Sequence, residues 1–94
     1  MKFFVIGTRN PKYAPEEFAP HLAVESRRGR QLYADNTLRE IHSRTDGKGA
    51  VLVFEAVDQA AVEAAMDSLP LVQKGMLDYE IHGVQPYRGF CIDL

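Results

Sequence analysis

Glu25 is the residue in this 94-residue chain whose setting carries the most chemistry. It stands in the series Phe18, Leu22, Glu25, Gly29, Leu32 and Tyr33, whose spacings of four and three trace one face of a helix. A carboxylate on a core-facing stripe loses hydration, so its pKa rises unless a cation pairs with it. That is how proteins make a general base or acid useful near neutral pH. The structural alternative is a slightly rotated helix that brings Glu25 to the edge, or a plain ion pair with Arg28 or Arg39. His42 and His82 each alternate with carboxylates, Glu40 in the first case and Asp78 and Glu80 in the second. Either histidine could exchange protons or orient a substrate carboxylate, or could simply be solvated or sit at an interface. His21, one position before Leu22, reads as a surface residue.

Other chemistries find less support. The three histidines are too far apart for a short metal-ligand motif, and no His-x-His or His-x-x-x-His pair occurs. Cys91 is the only cysteine, which excludes an intrachain disulfide and a cysteine zinc cluster. It has no base nearby in sequence, and no Gly-x-Ser-x-Gly elbow is present. The turn Asp46-Gly47-Lys48-Gly49 precedes a strand, so it is hairpin chemistry and not a phosphate cradle. Lys48-Gly49 begins like the third-strand motif of RNA-recognition domains, yet Ala50, Leu52 and Glu55 stand where stacking aromatics are wanted. Eleven basic against 13 acidic side chains give a net charge of −2, which offers nucleic acid or an anionic membrane no electrostatic footing. No apolar run approaches the ~18 residues of a membrane span. Hydrophobic residues at 46% and charged ones at 26% describe one globular domain over residues 1–94, expected to be soluble and cytoplasmic.

The elements that must position these residues follow from periodicity. Lys2 to Thr8 is a continuous apolar run suited to a strand buried on both faces. Pro15-Glu16-Glu17 opens a helix, with Arg27, Arg28, Arg30 and Gln31 opposite its apolar stripe, and Asp35-Asn36 closes it. Thr37 to Thr45 is a half-polar edge strand. Leu38, Glu40, His42 and Arg44 fall on one side of it, Thr37, Arg39, Ile41 and Ser43 on the other. Ala50 to Val57 is a second two-sided apolar strand. Asp58 caps a helix with the stripe Ala61, Val62, Ala65, Met66 and Leu69, which Pro70 stops. A connection through Gly75 leads to a last half-polar strand, Leu77 to Val84.

The order β-α-β-β-α-β predicts a ferredoxin-like α+β fold, a four-stranded antiparallel sheet with two helices on one face. The two-sided apolar strands take the centre and the half-polar ones the edges. The uncovered face calls for a second copy packed sheet to sheet. Phe90, Cys91, Ile92 and Leu94 are apolar for a tail and are expected to dock on a neighbour or on the helix layer.

The stretches Val53-Phe54-Glu55, Leu69-Pro70-Leu71 and Tyr79-Glu80-Ile81-His82-Gly83-Val84 resemble muconolactone isomerase and, more broadly, the YciI-like dimeric α+β barrel proteins. The similarity runs from about Val24 to Val84. In the isomerase pattern a glutamate stands twelve residues before a threonine that opens the second strand; here these are Glu25 and Thr37, and Arg39 also matches. Glu40 and His42 depart from it, standing where the isomerase has a histidine and a tryptophan. The resemblance implies cofactor-free isomerisation of a small lactone or enolisable acid. Glu25 would be the base, and Arg39 or a histidine (His42 or His82) would stabilise an enolate oxygen. The pocket would lie between the first helix and the sheet, with Leu22, Gly29 and Tyr79 against the substrate, and the protein would be a homodimer or a higher homo-oligomer. A non-catalytic ligand-binding or assembly module on the same fold is the alternative, and a cofactor-free monooxygenase a weaker one.

Overall fold

The computed structural model describes residues 1–90. Its strands are β1 (Lys2–Arg9), β2 (Leu38–Ser43), β3 (Gly49–Glu55) and β4 (Leu77–Val84). Its helices are α1 (Pro15–Phe18), α2 (Leu22–Ala34), α3 (Gln59–Asp67) and α4 (Pro70–Gln73). The strands form one antiparallel sheet in the order β2-β3-β1-β4, the ferredoxin-like arrangement the sequence predicts. The central strands are the two apolar ones because only they can bury both faces.

Cross-strand partners share a face, so the register sorts the side chains. Phe3, Val5, Leu52, Phe54 and Leu38 point to the helices and join Leu32, Val62, Met66 and Leu69 in the main core. A smaller cluster of Phe18, Leu71, Met76 and Leu77 closes one end of the molecule. Phe4, Ile6, Val51 and Val53 point to the other face, where the described residues place no helix.

The first helical stretch departs from a continuous helix. α1 ends at Phe18 and a 3₁₀ turn, Ala19–His21, intervenes before α2. Pro20 lies in that turn; it has no N–H to give to an α-helical ladder and resets the direction of the chain. Leu22 and Tyr33, expected on the core face, are 39% and 62% exposed, while Phe18 and Leu32 are buried. Asn36, at φ 69°, turns the chain out of α2 as its position suggests. Asp58 caps α3, its Oδ1 accepting from the Ala61 N–H at 2.9 Å. Pro70 ends that helix, as the sequence predicts, but also opens α4 at a first-turn position, where its missing N–H costs nothing.

β2 carries the difference that matters most for the site. Leu38 pairs with Phe54 and Glu40 with Val53, so Arg39 is an extra residue, a β-bulge. The alternation changes phase there. Leu38 and Ile41 face the helix layer, whereas Glu40 and His42 face the opposite side. The imperfect alternation read from the sequence, with Leu38, Glu40 and His42 on one side, is broken by this one residue. Of the apolar tail, Phe90 is exposed and meets the Tyr87 ring edge-on at 5.0 Å; Cys91, Ile92 and Leu94 lie outside the described residues.

Two substitutions test this packing. Phe54 is fully buried between the sheet and α3, so Phe54→Ala is expected to cost about 3–5 kcal/mol of unfolding free energy. Gly49 sits at φ 152°, and a Cβ there would meet the Gly7 carbonyl oxygen at 2.0 Å. Gly49→Ala is therefore expected to lower the urea midpoint, through a loss of unfolding free energy on the order of 3 kcal/mol. An unchanged midpoint in either variant would contradict this arrangement.

Candidate functional site

A cavity of about 340 Å³ lies between α2 and the sheet. One wall is α2, which presents Glu25, Ser26, Gly29, Arg30 and Tyr33. The floor is apolar: Leu38 and Ile41 from β2, Ala50 and Leu52 from β3, with Leu69 and Leu77 closing the side. This volume is at the lower end for small-molecule sites and suits a compound of one ring.

Glu25 is half-buried at the cavity wall. Its Oε1 accepts a hydrogen bond of 3.0 Å from the Leu71 N–H, in the first turn of α4. Burial holds the Glu25 carboxyl above the usual carboxylate range, and the Leu71 bond opposes that rise without cancelling it. No cation is paired with Glu25 among the described residues. The two sequence candidates for that role are engaged elsewhere. Arg28 donates through Nε to Ser68 Oγ at 2.9 Å, and Arg39 through Nε to the Asn36 carbonyl at 2.8 Å. The expectation that all the α2 arginines lie on a solvated face is corrected by Arg28, which is half-buried against the end of α3, and by Arg30, which lines the cavity.

The other sequence candidates separate. His42 and His82 project from the face of the sheet opposite the cavity. There, His42 Nε2 lies 3.0 Å from Glu40 Oε1 and His82 Nε2 lies 3.4 Å from Glu80 Oε2. The bulge at Arg39 is what carries His42 away from Leu38. Arg39 itself is exposed and outside the cavity wall. Within one protomer, then, Glu25 and Gly29 line the cavity, and Arg39, His42 and His82 do not. Leu22 is also outside it. Tyr79 faces the helix layer but turns to α3, where its hydroxyl donates to Asp67 Oδ1 at 2.8 Å; burial, with the Asp67 carboxylate, pushes its pKa up to about 12.

Sequence reasoning missed Ser26, Arg30 and Tyr33 as wall residues. Their positions four and three apart, one step round the helix from Glu25 and Gly29, are the available signal. A second cleft of about 380 Å³ lies near Arg9, Phe18 and Lys48, with the Arg9 guanidinium 4.4 Å above the Phe18 ring centre. No histidine or carboxylate lines it, so it lacks a base. Among the described residues no cluster of His, Cys, Asp and Glu could hold a metal ion, and no helix is long and apolar enough to cross a membrane.

Neither the protein-family models nor the curated protein sequences give a match to this chain. Solved structures do. Muconolactone isomerase superposes with a TM-score of 0.76 at 22% identity, over 94% of this chain and 92% of the isomerase. This chain has the muconolactone isomerase-like fold. The 5-chloro-2-hydroxyhydroquinone dehydrochlorinase of Burkholderia phenoliruptrix AC1100, solved with 2,5-dihydroxybenzoquinone, shares that fold. It superposes at a TM-score of 0.77 and 15% identity, over 95% of this chain and 98% of the dehydrochlorinase. The muconolactone isomerase-like fold thus serves two enzymes of small oxygenated ring compounds.

The raised pKa of Glu25 has a consequence for stability. The folded state holds this proton more tightly than the unfolded chain, so the contribution is greatest below the ordinary carboxylate range and is lost as pH rises through the raised value. Glu25→Gln keeps an acceptor for Leu71 and removes the charge. Its melting temperature relative to the parent protein is expected to climb between about pH 4 and pH 7. A difference that stays flat across that range would place Glu25 in water.

Proposed function

We propose that this protein is a cofactor-independent proton-transfer enzyme acting on a small unsaturated lactone or enolisable acid, with Glu25 as its base. The observation that carries the reading is the Glu25 carboxyl, its pKa raised by burial, on the wall of an apolar cavity large enough for one ring. The ring of the substrate rests on Leu38, Ile41 and Leu52. Glu25 takes a proton from the carbon next to the carbonyl, leaving an enolate whose negative charge spreads through the conjugated system. The same carboxylic acid returns the proton to a carbon further along, so the product is an isomer and nothing is consumed. One placed base contributes about 10²–10⁴-fold, so a group that balances the enolate is needed as well.

Arg30, on the same wall, takes that second role in this reading, in place of the Arg39 and histidine partners suggested by sequence. It either faces the enolate oxygen or holds a substrate carboxylate at the cavity mouth. The two enzymes that share the fold are, by name, an isomerase of a lactone and a dehydrochlorinase of a hydroxyhydroquinone. Both reactions involve moving a proton on a small oxygenated compound, which supports this substrate class. The active form in this reading is a homodimer joined through the apolar outer face of the sheet. A binding module is the second reading, favoured by the Leu71 bond, which gives Glu25 a structural reason to be where it is.

The experiment is proton exchange in deuterium oxide. Unsaturated lactones and enolisable acids are incubated with the protein, and deuterium incorporation at the carbon next to the carbonyl is followed by NMR. The rate is expected to rise with pH through the Glu25 titration, because the ionised form is the base. Glu25→Gln is expected to lower it by about 10²–10⁴-fold while amide shifts around Leu52 still report binding. Arg30→Gln is expected to raise KM or lower kcat by about tenfold or more. Binding without exchange in the parent protein would favour the module.

A further inference from the structure

The outer face of the sheet has an internal symmetry that the sequence order conceals. One row across the strands reads Glu40, Val53, Phe4, His82, and the next reads His42, Val51, Ile6, Glu80. A half-turn about the sheet normal exchanges Glu40 with Glu80, His42 with His82, Phe4 with Val51, and Val53 with Ile6. The centre of this face is apolar, with Phe4 and Ile6 39% and 37% exposed, and each edge carries one glutamate and one histidine.

This pattern is self-complementary. When two copies pack sheet to sheet with aligned strands, their two-fold axis lies in the interface, along the strands or across them. An axis along the strands sets Glu40 of one copy over the row position of His82 in the other, and His42 over Glu80. An axis across the strands sets Glu40 over His42, and Glu80 over His82. Every glutamate meets a histidine in either case, and the apolar centres meet each other.

We propose that, where two copies dock through the outer sheet face, the Glu40–His42 and Glu80–His82 edges pair glutamate to histidine across the interface and make the association depend on pH. The proposal rests on the sheet-to-sheet dimer of the preceding section and adds what holds its rims and regulates them. The residues across from His42 and His82 on the neighbouring strands are Val51 and Phe4, so no charge from β3 or β1 faces them in their own rows. On β2 and β4 themselves the charged neighbours are Glu40, Glu80 and Arg39, the bulge residue beside Glu40, whose guanidinium donates to the Asn36 carbonyl and acts on Glu55. The flanking rows hold Lys2 and Glu55 at one end, with Glu55 paired to the N-terminal amine. At the other end stand Asp78 and Arg44, the latter paired to Asp46. Carboxylates in general are charged above about pH 4 and imidazoles below about pH 6.5, so the rims attract most between those values. Above that window neutral histidines face buried carboxylates; below it the histidines repel one another.

Sedimentation equilibrium over a pH series tests this. The dimer dissociation constant of the parent protein is expected to be lowest near pH 5–6 and to rise about tenfold or more by pH 8.5. The double variant His42→Gln/His82→Gln is expected to lose that dependence. Two further variants make the pairing explicit: Glu40→Lys/Glu80→Lys replaces both glutamates of the rim pairs by cations, and His42→Glu/His82→Glu replaces both histidines by carboxylates. Each alone is expected to be monomeric with a native circular dichroism spectrum, and the equimolar mixture to form a heterodimer. A parent dimer whose affinity is flat with pH, together with variants that self-associate as tightly as it does, overturns the rim pairing and leaves the dimer standing. A parent protein that is monomeric at every pH overturns the dimer itself and the proposal with it.

Discussion

A single layer of helices on one side of a four-stranded sheet leaves the other side bare, and almost everything else in this protein follows from that asymmetry. The covered face buries Phe3, Val5, Leu52 and Phe54 and has room left for a cavity beneath α2. The bare face keeps Phe4, Ile6 and Val51 within reach of water around a buried Val53, and polar residues gather at its edges. A central strand must satisfy both environments at once. That is why β1 and β3 are apolar throughout and why the half-polar strands are confined to the edges.

The same asymmetry divides the chemistry. Glu25 belongs to the helix layer and is tied by the Leu71 N–H to the start of α4, so its placement depends on how α2 and α4 meet. The two histidines belong to the sheet and answer to the outer surface. In the proposed reading, proton chemistry on the inside and recognition on the outside therefore use different residues, and a change in one set need not disturb the other. The fold is shared with enzymes at 15% and 22% identity, and at that distance what is held in common is the layer arrangement.

Much of this was legible in the sequence. The continuous apolar runs marked the central strands, the Asp46-Gly47-Lys48-Gly49 turn fixed the hairpin between β2 and β3, and Asp58 marked a helix start that the Ala61 N–H bond bears out. Glu25 was legible too, because a carboxylate in an apolar stripe is a local anomaly. Three things escaped, each for a physical reason. The break at Pro20 separated Phe18 from the phase of α2, in which Leu22 and Tyr33 are exposed. The bulge at Arg39 left no compositional mark, since a bulge is defined by the partner strand and not by its own residues. Arg30 was hidden because an exposed arginine at a cavity mouth has the same spacing as one on a solvated face.

The bulge also bears on how such a protein can change over time. Between Leu38, anchored opposite Phe54, and Glu40, opposite Val53, the length of β2 exceeds that of its partner by one residue. Loss of that residue would leave Leu38 opposite Phe54 and Glu40 opposite Val53, so the inner and outer sets would keep their faces. Loss of the bulge with Arg39 retained and paired would instead shift the rest of β2 by one position. Ile41 would turn outward, while Glu40 and His42 would enter the space above Ala50 and Leu52, opposite Glu25. The bulge thus separates two arrangements of the same strand, and the pairing of one residue decides which side chains the cavity receives and which the outer face keeps.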